Sequence, residues 1–215
     1  MTNKEILIFV EGPSDRFFLE IYLLYLYFQE KFPIKNFKVQ NVDGKDNLSK
    51  RLLEIEKYDK TLIIFDADKD YESNKKEILK VVSKTKQTIS EEQIFLFPNN
   101  QDDGDLETLL LKIAKHKEFI NCFESYLDCI KKKEDCKPIK NIRKNKWYAY
   151  LEVLGLENLT KIDIFDNESK IKNKHEENYR RLKEVIKFNS KSLIPLKNFL
   201  GQFAENNQKT NLKIF

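Results

Sequence analysis

The strongest constraint on the fold is an alternation of short apolar runs with helix-length segments. Residues 5–10 and 94–97 are almost continuously apolar, 61–66 is apolar up to its closing aspartate, and 37–42 alternates in polarity. Runs this short and this apolar suit strands buried on both faces of a parallel sheet. Between them, residues 17–28, 46–57 and 73–84 carry helical apolar patterns. Pro13-Ser14-Asp15 offers helix-starting residues with Ser14 as an N-cap, and Pro33 ends the helix that follows. A β-α-β-α-β-α-β order with right-handed crossovers predicts an α/β fold: a mainly parallel four-stranded sheet flanked by helices. Beyond it, residues 117–133, 146–154, 175–188 and 193–204 read as helices joined by lysine-rich connectors. The expected organisation is a core over 1–115 and a mostly helical, lysine-rich extension over 116–215 packed on it.

Acidic residues sit where two of these strands end. Residues 6–10 lead into Glu11-Gly12-Pro13-Ser14-Asp15, and residues 62–65 lead into Asp66-Ala67-Asp68, with Asp70 close behind. Ligand sites in open α/β sheets lie outside the carboxyl ends of strands. Carboxylates brought there from two strands repel one another unless a cation neutralises them, and clustered carboxylates are hard ligands suited to Mg²⁺, Mn²⁺ or Ca²⁺. Two aspartates spaced i, i+2 in a tight loop can turn toward one cation, and Asp15 lies one helical turn after Glu11. Glu107, after the fourth strand, can close the cluster from a third loop. Such a site is suited to phosphate chemistry. Each acid also has a plainer use, as a solvated loop residue or as a helix N-terminal acid favouring the macrodipole.

A Glu after strand one and Asp-x-Asp after a later strand resemble the Toprim domain of topoisomerases, bacterial primases, ribosomal-RNA maturases and OLD-type nucleases. Val10-Glu11-Gly12-Pro13-Ser14-Asp15 and Gly104-Asp105-Leu106-Glu107 are most similar to the OLD-related members, in particular to small stand-alone proteins of unknown function. The resemblance covers about residues 4–115, and residues 194–200 also resemble the stand-alone members. It implies Glu11 as metal-proximal acid and general acid/base, Asp66 and Asp68 as the metal-binding pair, and Asp15 and Glu107 as acids for a second metal. Asp70 is a further ligand candidate. The cofactor implied is one or two Mg²⁺ or Mn²⁺ ions. The resemblance also implies a catalytic lysine near the phosphate, for which Lys144 and Lys146 are both candidates.

The remaining features set the context. With 215 residues, 40% of them hydrophobic, and with 16 Phe and 9 Tyr, the chain can bury a real core. No apolar run reaches membrane-spanning length and the start resembles no signal peptide, so a cytoplasmic protein without a membrane partner is expected. Residues 1–115 carry a net charge of −3 and residues 116–215 one of +7, which suits a polyanionic substrate beside a metal cluster. The run 131–148 holds eight Lys/Arg against two acids and ends in Trp147 and Tyr148. Trp147 fits either an amphipathic packing helix or a base-stacking platform. The run 170–191 is similarly basic. Cys122, Cys129 and Cys136 fall seven apart, on one helical face, and are expected as packing residues. His116 and His175 are isolated.

Three functions remain open. The first is a Mg²⁺- or Mn²⁺-dependent nuclease acting on DNA or RNA. No P-loop accompanies it, so an ATPase partner acting in trans is expected. The second is a non-catalytic Toprim module that binds metal, nucleic acid or a protein. The third is a small-molecule phosphohydrolase with Asp66 as nucleophile and Asp68 as acid. Glu11, Asp66 and Lys146 are the catalytic expectations, and Glu11, Asp15, Asp66, Asp68, Asp70 and Glu107 the metal ligands.

Overall fold

The computed structural model describes residues 6–30, 32, 37–133, 137, 139–158, 172 and 176–204. Cys136 and His175, singled out above, lie outside the described residues. The chain divides into two compact units, one of residues 1–106 with 191–215, the other of residues 107–190.

The first unit is built on four parallel strands in the order β2-β1-β3-β4. They are β1 (Ile6–Val10), β2 (Phe37–Asn41), β3 (Lys60–Asp66) and β4 (Ile94–Phe97). Val10 pairs with Asn41 on one side and Ile64 on the other. This is the α/β arrangement expected from the apolar runs, and both central strands are buried as parallel strands require. Side chains alternate between faces. Leu7, Phe9, Ile63, Phe65, Ile94 and Leu96 meet Ile78 and Val82 of α3 (Tyr71–Val82) on one face. On the other face lie α1 (Pro13–Glu30) and α8 (Ile194–Ala204). Phe18 of α1 meets the Phe97 ring edge-on at 6.2 Å, and Phe199 of α8 lies 5.3 Å from Phe95. The Tyr22 hydroxyl donates to the Leu193 carbonyl at 3.4 Å, tying α1 to the turn before α8.

Residues 191–204 therefore belong with the sheet, whereas the sequence placed them in one extension with everything after 115. Phe199 covers Phe95 of β4, and Phe203 packs on Phe199 at 5.4 Å. Two local expectations are corrected. The helix expected over 46–57 is a 3-10 turn, Lys45–Arg51, followed by one α turn, α2 (Leu52–Ile55). No side chain caps its start, and Leu53 is 75% exposed, so little drives a longer helix. Ser14 is not the N-cap of α1: Pro13 takes the first helical position, where its missing N–H costs nothing, and Ser14 is inside the helix.

The second unit holds α4 (Leu106–Ile113, after its first residue), α5 (Lys117–Lys131), α6 (Ile142–Val153) and α7 (Glu176–Val185). Lys115 N–H donates to Val185 C=O at 2.9 Å and Lys187 N–H to Ile113 C=O at 2.8 Å, lacing the end of α4 to the end of α7. Tyr150, 1% exposed, donates to Val185 C=O at 2.7 Å and accepts from His116 N–H at 3.3 Å. Trp147 is buried and stacks on Tyr150 at 5.4 Å, so it is a packing residue and not a base-stacking platform. α6 stops at Gly155, whose φ of 64° lets Leu156 N–H return to Leu151 C=O.

Cys122 and Cys129, expected in packing positions, are exposed. Ile120 and Leu127 occupy the buried stripe of α5, and each cysteine lies two residues further on, about 200° round the helix. Among the described residues no helix is long and apolar enough to cross a membrane. Tyr150→Phe is expected to destabilise the protein by about 1–2 kcal/mol, because it removes the hydroxyl on which Val185 C=O and His116 N–H converge. Urea denaturation measures this.

Candidate functional site

Strand order places the acids. From β1 the chain crosses to β2 on one side, then returns as β3 on the other side of β1. Connections leaving a strand pair in opposite directions open a crevice at its carboxyl end. Glu11 follows Val10 out of β1, and Asp66 closes β3 with Ala67 and Asp68 behind it. The β2 end reaches the same crevice: Gly44 N–H donates to the Glu11 carbonyl at 2.9 Å. Gly44 itself has φ 101°, a conformation that suits glycine, and Lys45 is the next residue.

Glu11 is the acid most shaped by the fold. Its Oε2 is enclosed and has no hydrogen-bond partner. Burial, and then the Asp68 charge, push its carboxyl above the usual glutamate range, against the backbone N–H groups of Asp66 and Lys45 and the Lys45 charge. Asp68 sits in the left-handed region at φ 54°, held by its N–H on the Gly104 carbonyl at 2.7 Å. Its Oδ2 lies 3.3 Å from Lys45 Nζ.

The other expected ligands have structural partners. Asp15 is 8% exposed, and its Oδ2 accepts Gly12 N–H at 2.8 Å, which satisfies a donor at the start of α1. Asp66 Oδ1 accepts the N–H of Leu106 at 2.8 Å, anchoring the residue that opens α4. Asp70 caps α3, accepting Ser73 N–H at 2.9 Å. Glu107 is the second residue of α4 and the first of the second unit. Lys146 also lies in the second unit, 2.5 Å from Glu124, and Lys144 lies 6.0 Å from the Tyr148 ring centroid.

The structure thus brings Glu11 and Asp68 together, with Asp66 at the end of the adjoining strand. Among the described residues no group of three or more His, Cys, Asp or Glu is arranged to hold a metal ion. The residues present still fit a hard divalent cation. Glu11 offers an enclosed oxygen that no donor satisfies, and Asp68 a second carboxylate close enough to perturb it.

Two residues of the site escaped the sequence reading. Lys45 Nζ bridges Asp68 Oδ2 and Asn74 Oδ1, the latter at 2.6 Å. Asn74, 8% exposed, donates in turn to the Ala67 carbonyl at 2.6 Å. A signal existed for Lys45: it follows Asp43-Gly44 at the end of the second strand, beside the strand that carries Glu11. For Asn74, in the middle of a helical pattern, there was none.

Because Glu11 binds its proton more tightly folded than unfolded, its contribution to stability is complete below the unfolded carboxylate value of 4.5 and is lost as pH rises through the folded value. Glu11→Gln is expected to raise Tm at neutral pH in metal-free buffer and to leave it almost unchanged at acid pH. Thermal melts across that range check this, and parallel wild-type and variant curves would refute it. Asp15→Ala is expected to cost about 1 kcal/mol through loss of the capping bond, measured by urea denaturation.

The solved structure of the C-terminal region of the Burkholderia pseudomallei OLD protein is similar to this chain at 13% identity, over 92% of this chain and 99% of that one, with a TM-score of 0.40. No curated protein matches the chain. Residues 5–205 match the family described as a protein of unknown function, DUF3226, and the chain therefore belongs to the DUF3226 family.

Proposed function

We propose that this chain is a Toprim-type phosphodiester hydrolase, a nuclease-like protein that works with Mg²⁺ or Mn²⁺ on nucleic acid, with an ATPase acting in trans. The observation that carries the reading is the Glu11 carboxylate, set at the switch point of a parallel sheet with one enclosed oxygen that has no partner. A native fold rarely leaves such an oxygen unsatisfied without a use for it.

In this reading Glu11 and Asp68 hold the cation, with Asp66 beside them. A bound Mg²⁺ or Mn²⁺ supplies charge neutralisation for the phosphate oxygens and lowers the pKa of water. The chain's own residues do the rest. Glu11, at the end of β1 beside Asp66 and Asp68, is suited to passing a proton to or from an oxygen of the phosphodiester. Asp66, bonded to Leu106 N–H, fixes the loop that follows β3. Asp15 and Asp70 keep the starts of α1 and α3 in place.

A second reading, a Toprim scaffold that binds nucleic acid or protein without cleaving, has its own support. Asp15, Asp66 and Asp70 each commit an oxygen to a backbone N–H, and no three-acid ligand group stands ready among the described residues. Cleavage assays on single- and double-stranded DNA and RNA, with Mg²⁺ and with Mn²⁺, separate the two. For the nuclease, Glu11→Gln and Asp68→Asn are expected to lower cleavage by about a hundredfold or more. Activity that survives both substitutions rejects the mechanism. Polyanion binding with no cleavage under either metal identifies the binding module.

A further inference from the structure

We propose that Lys45 is a tethered counter-ion of the acid crevice, neutralising Asp68 when no metal is bound and yielding to a divalent cation. It thereby sets the affinity of the site for metal. This rests on the metal site of the nuclease reading and deepens it.

Three features support the assignment. Lys45 follows Gly44, whose N–H is bonded to the carbonyl of Glu11 itself, so the lysine begins at the rim of the crevice. Its ammonium reaches Asp68 Oδ2 at 3.3 Å and Asn74 Oδ1 at 2.6 Å, and its charge reaches Glu11 as well. Asn74 is a built support: it is 8% exposed, and its amide is used at both ends, on Lys45 and on the carbonyl of Ala67. The amide orients the ammonium toward Asp68 while fixing the turn that presents Asp68.

The lysine is not buried in place. Its side chain is 32% exposed, so it can leave along its flexible stem without opening the core. A dication at Asp68 repels an ammonium at that distance, so metal entry requires Lys45 to withdraw. The lost pair is a partly exposed one, of modest strength. Metal affinity is therefore held below what the carboxylates alone would give, by about two- to fivefold.

Lys45→Met keeps the apolar stem and removes the charge. Isothermal titration with Mn²⁺ is expected to show binding about two- to fivefold tighter than wild type. Thermal melts in EDTA are expected to show the opposite sign, a lower Tm, because Asp68 and Glu11 then face each other without a cation. Lys45→Arg, which keeps the charge, is expected to stay near wild type in both. Lys45→Gln repeats the test should methionine disturb the local packing. Mn²⁺ binding by Lys45→Met and Lys45→Gln that equals or falls below wild type overturns the role of Lys45 and leaves the metal site standing. If neither wild type nor variants take up Mn²⁺, the metal reading and this proposal fall together.

Discussion

The pairing of β1 with β3 is the interaction on which the charged part of this molecule depends. Val10 lies opposite Ile64, so Glu11 leaves its strand almost level with Asp66. A slip of one residue would exchange the two faces of β3 and force both buried layers to repack. A slip of two would preserve the apolar pattern and carry the carboxylates about 7 Å apart. The end of β2, tied through Gly44 to Glu11, supports the observed register from the other side. The crevice thus follows from backbone pairing, and the acids are set there without needing to attract one another.

Fixing like charges at close range has a cost, and the chain spreads it over several devices. Asp15, Asp66 and Asp70 each accept a backbone N–H near a helix start, where a negative charge is favoured. Asp68 is met by a lysine, and Glu11 is shifted toward its neutral form. Both loops that face the crevice also carry a non-glycine residue in the left-handed region, Asp43 at φ 60° and Asp68 at φ 54°. Backbone strain of this kind persists where the surrounding structure over-determines it, and it clusters at sites of function. The same aspartates serve the helix starts and the crevice, which is why the plain and the chemical readings of these residues do not exclude each other.

Much of this was legible in the sequence. Strands β1, β3 and β4 are short, apolar and closed by acids or proline, and their buried parallel pairing follows from that pattern. The positions of Glu11, Asp66 and Asp68 at strand ends were legible for the same reason. Their partners were not. Asp15 at the third position of α1 back-bonds to Gly12 because Gly12, not Ser14, is the N-cap, a shift of two residues. Lys45 meets Asp68 across 23 residues of sequence and Asn74 across 29, in both cases through a hydrogen bond between side chains. Periodicity carries no information about such encounters. The exposed cysteines of α5 show a related limit: spacing defines a shared face, but not which face is buried.

The return of α8 to the sheet has a consequence for how the protein is made. Phe95 and Phe97 sit on a face that α1 covers in part and Phe199 completes. On the ribosome, residues 107–190 emerge between the last strand and that cover. The nascent sheet must therefore wait, with an aromatic patch bare, while an entire second unit is synthesised. Domains usually fold in the order in which they are translated. Here the inserted unit can finish first, and the unit that opened the chain closes last.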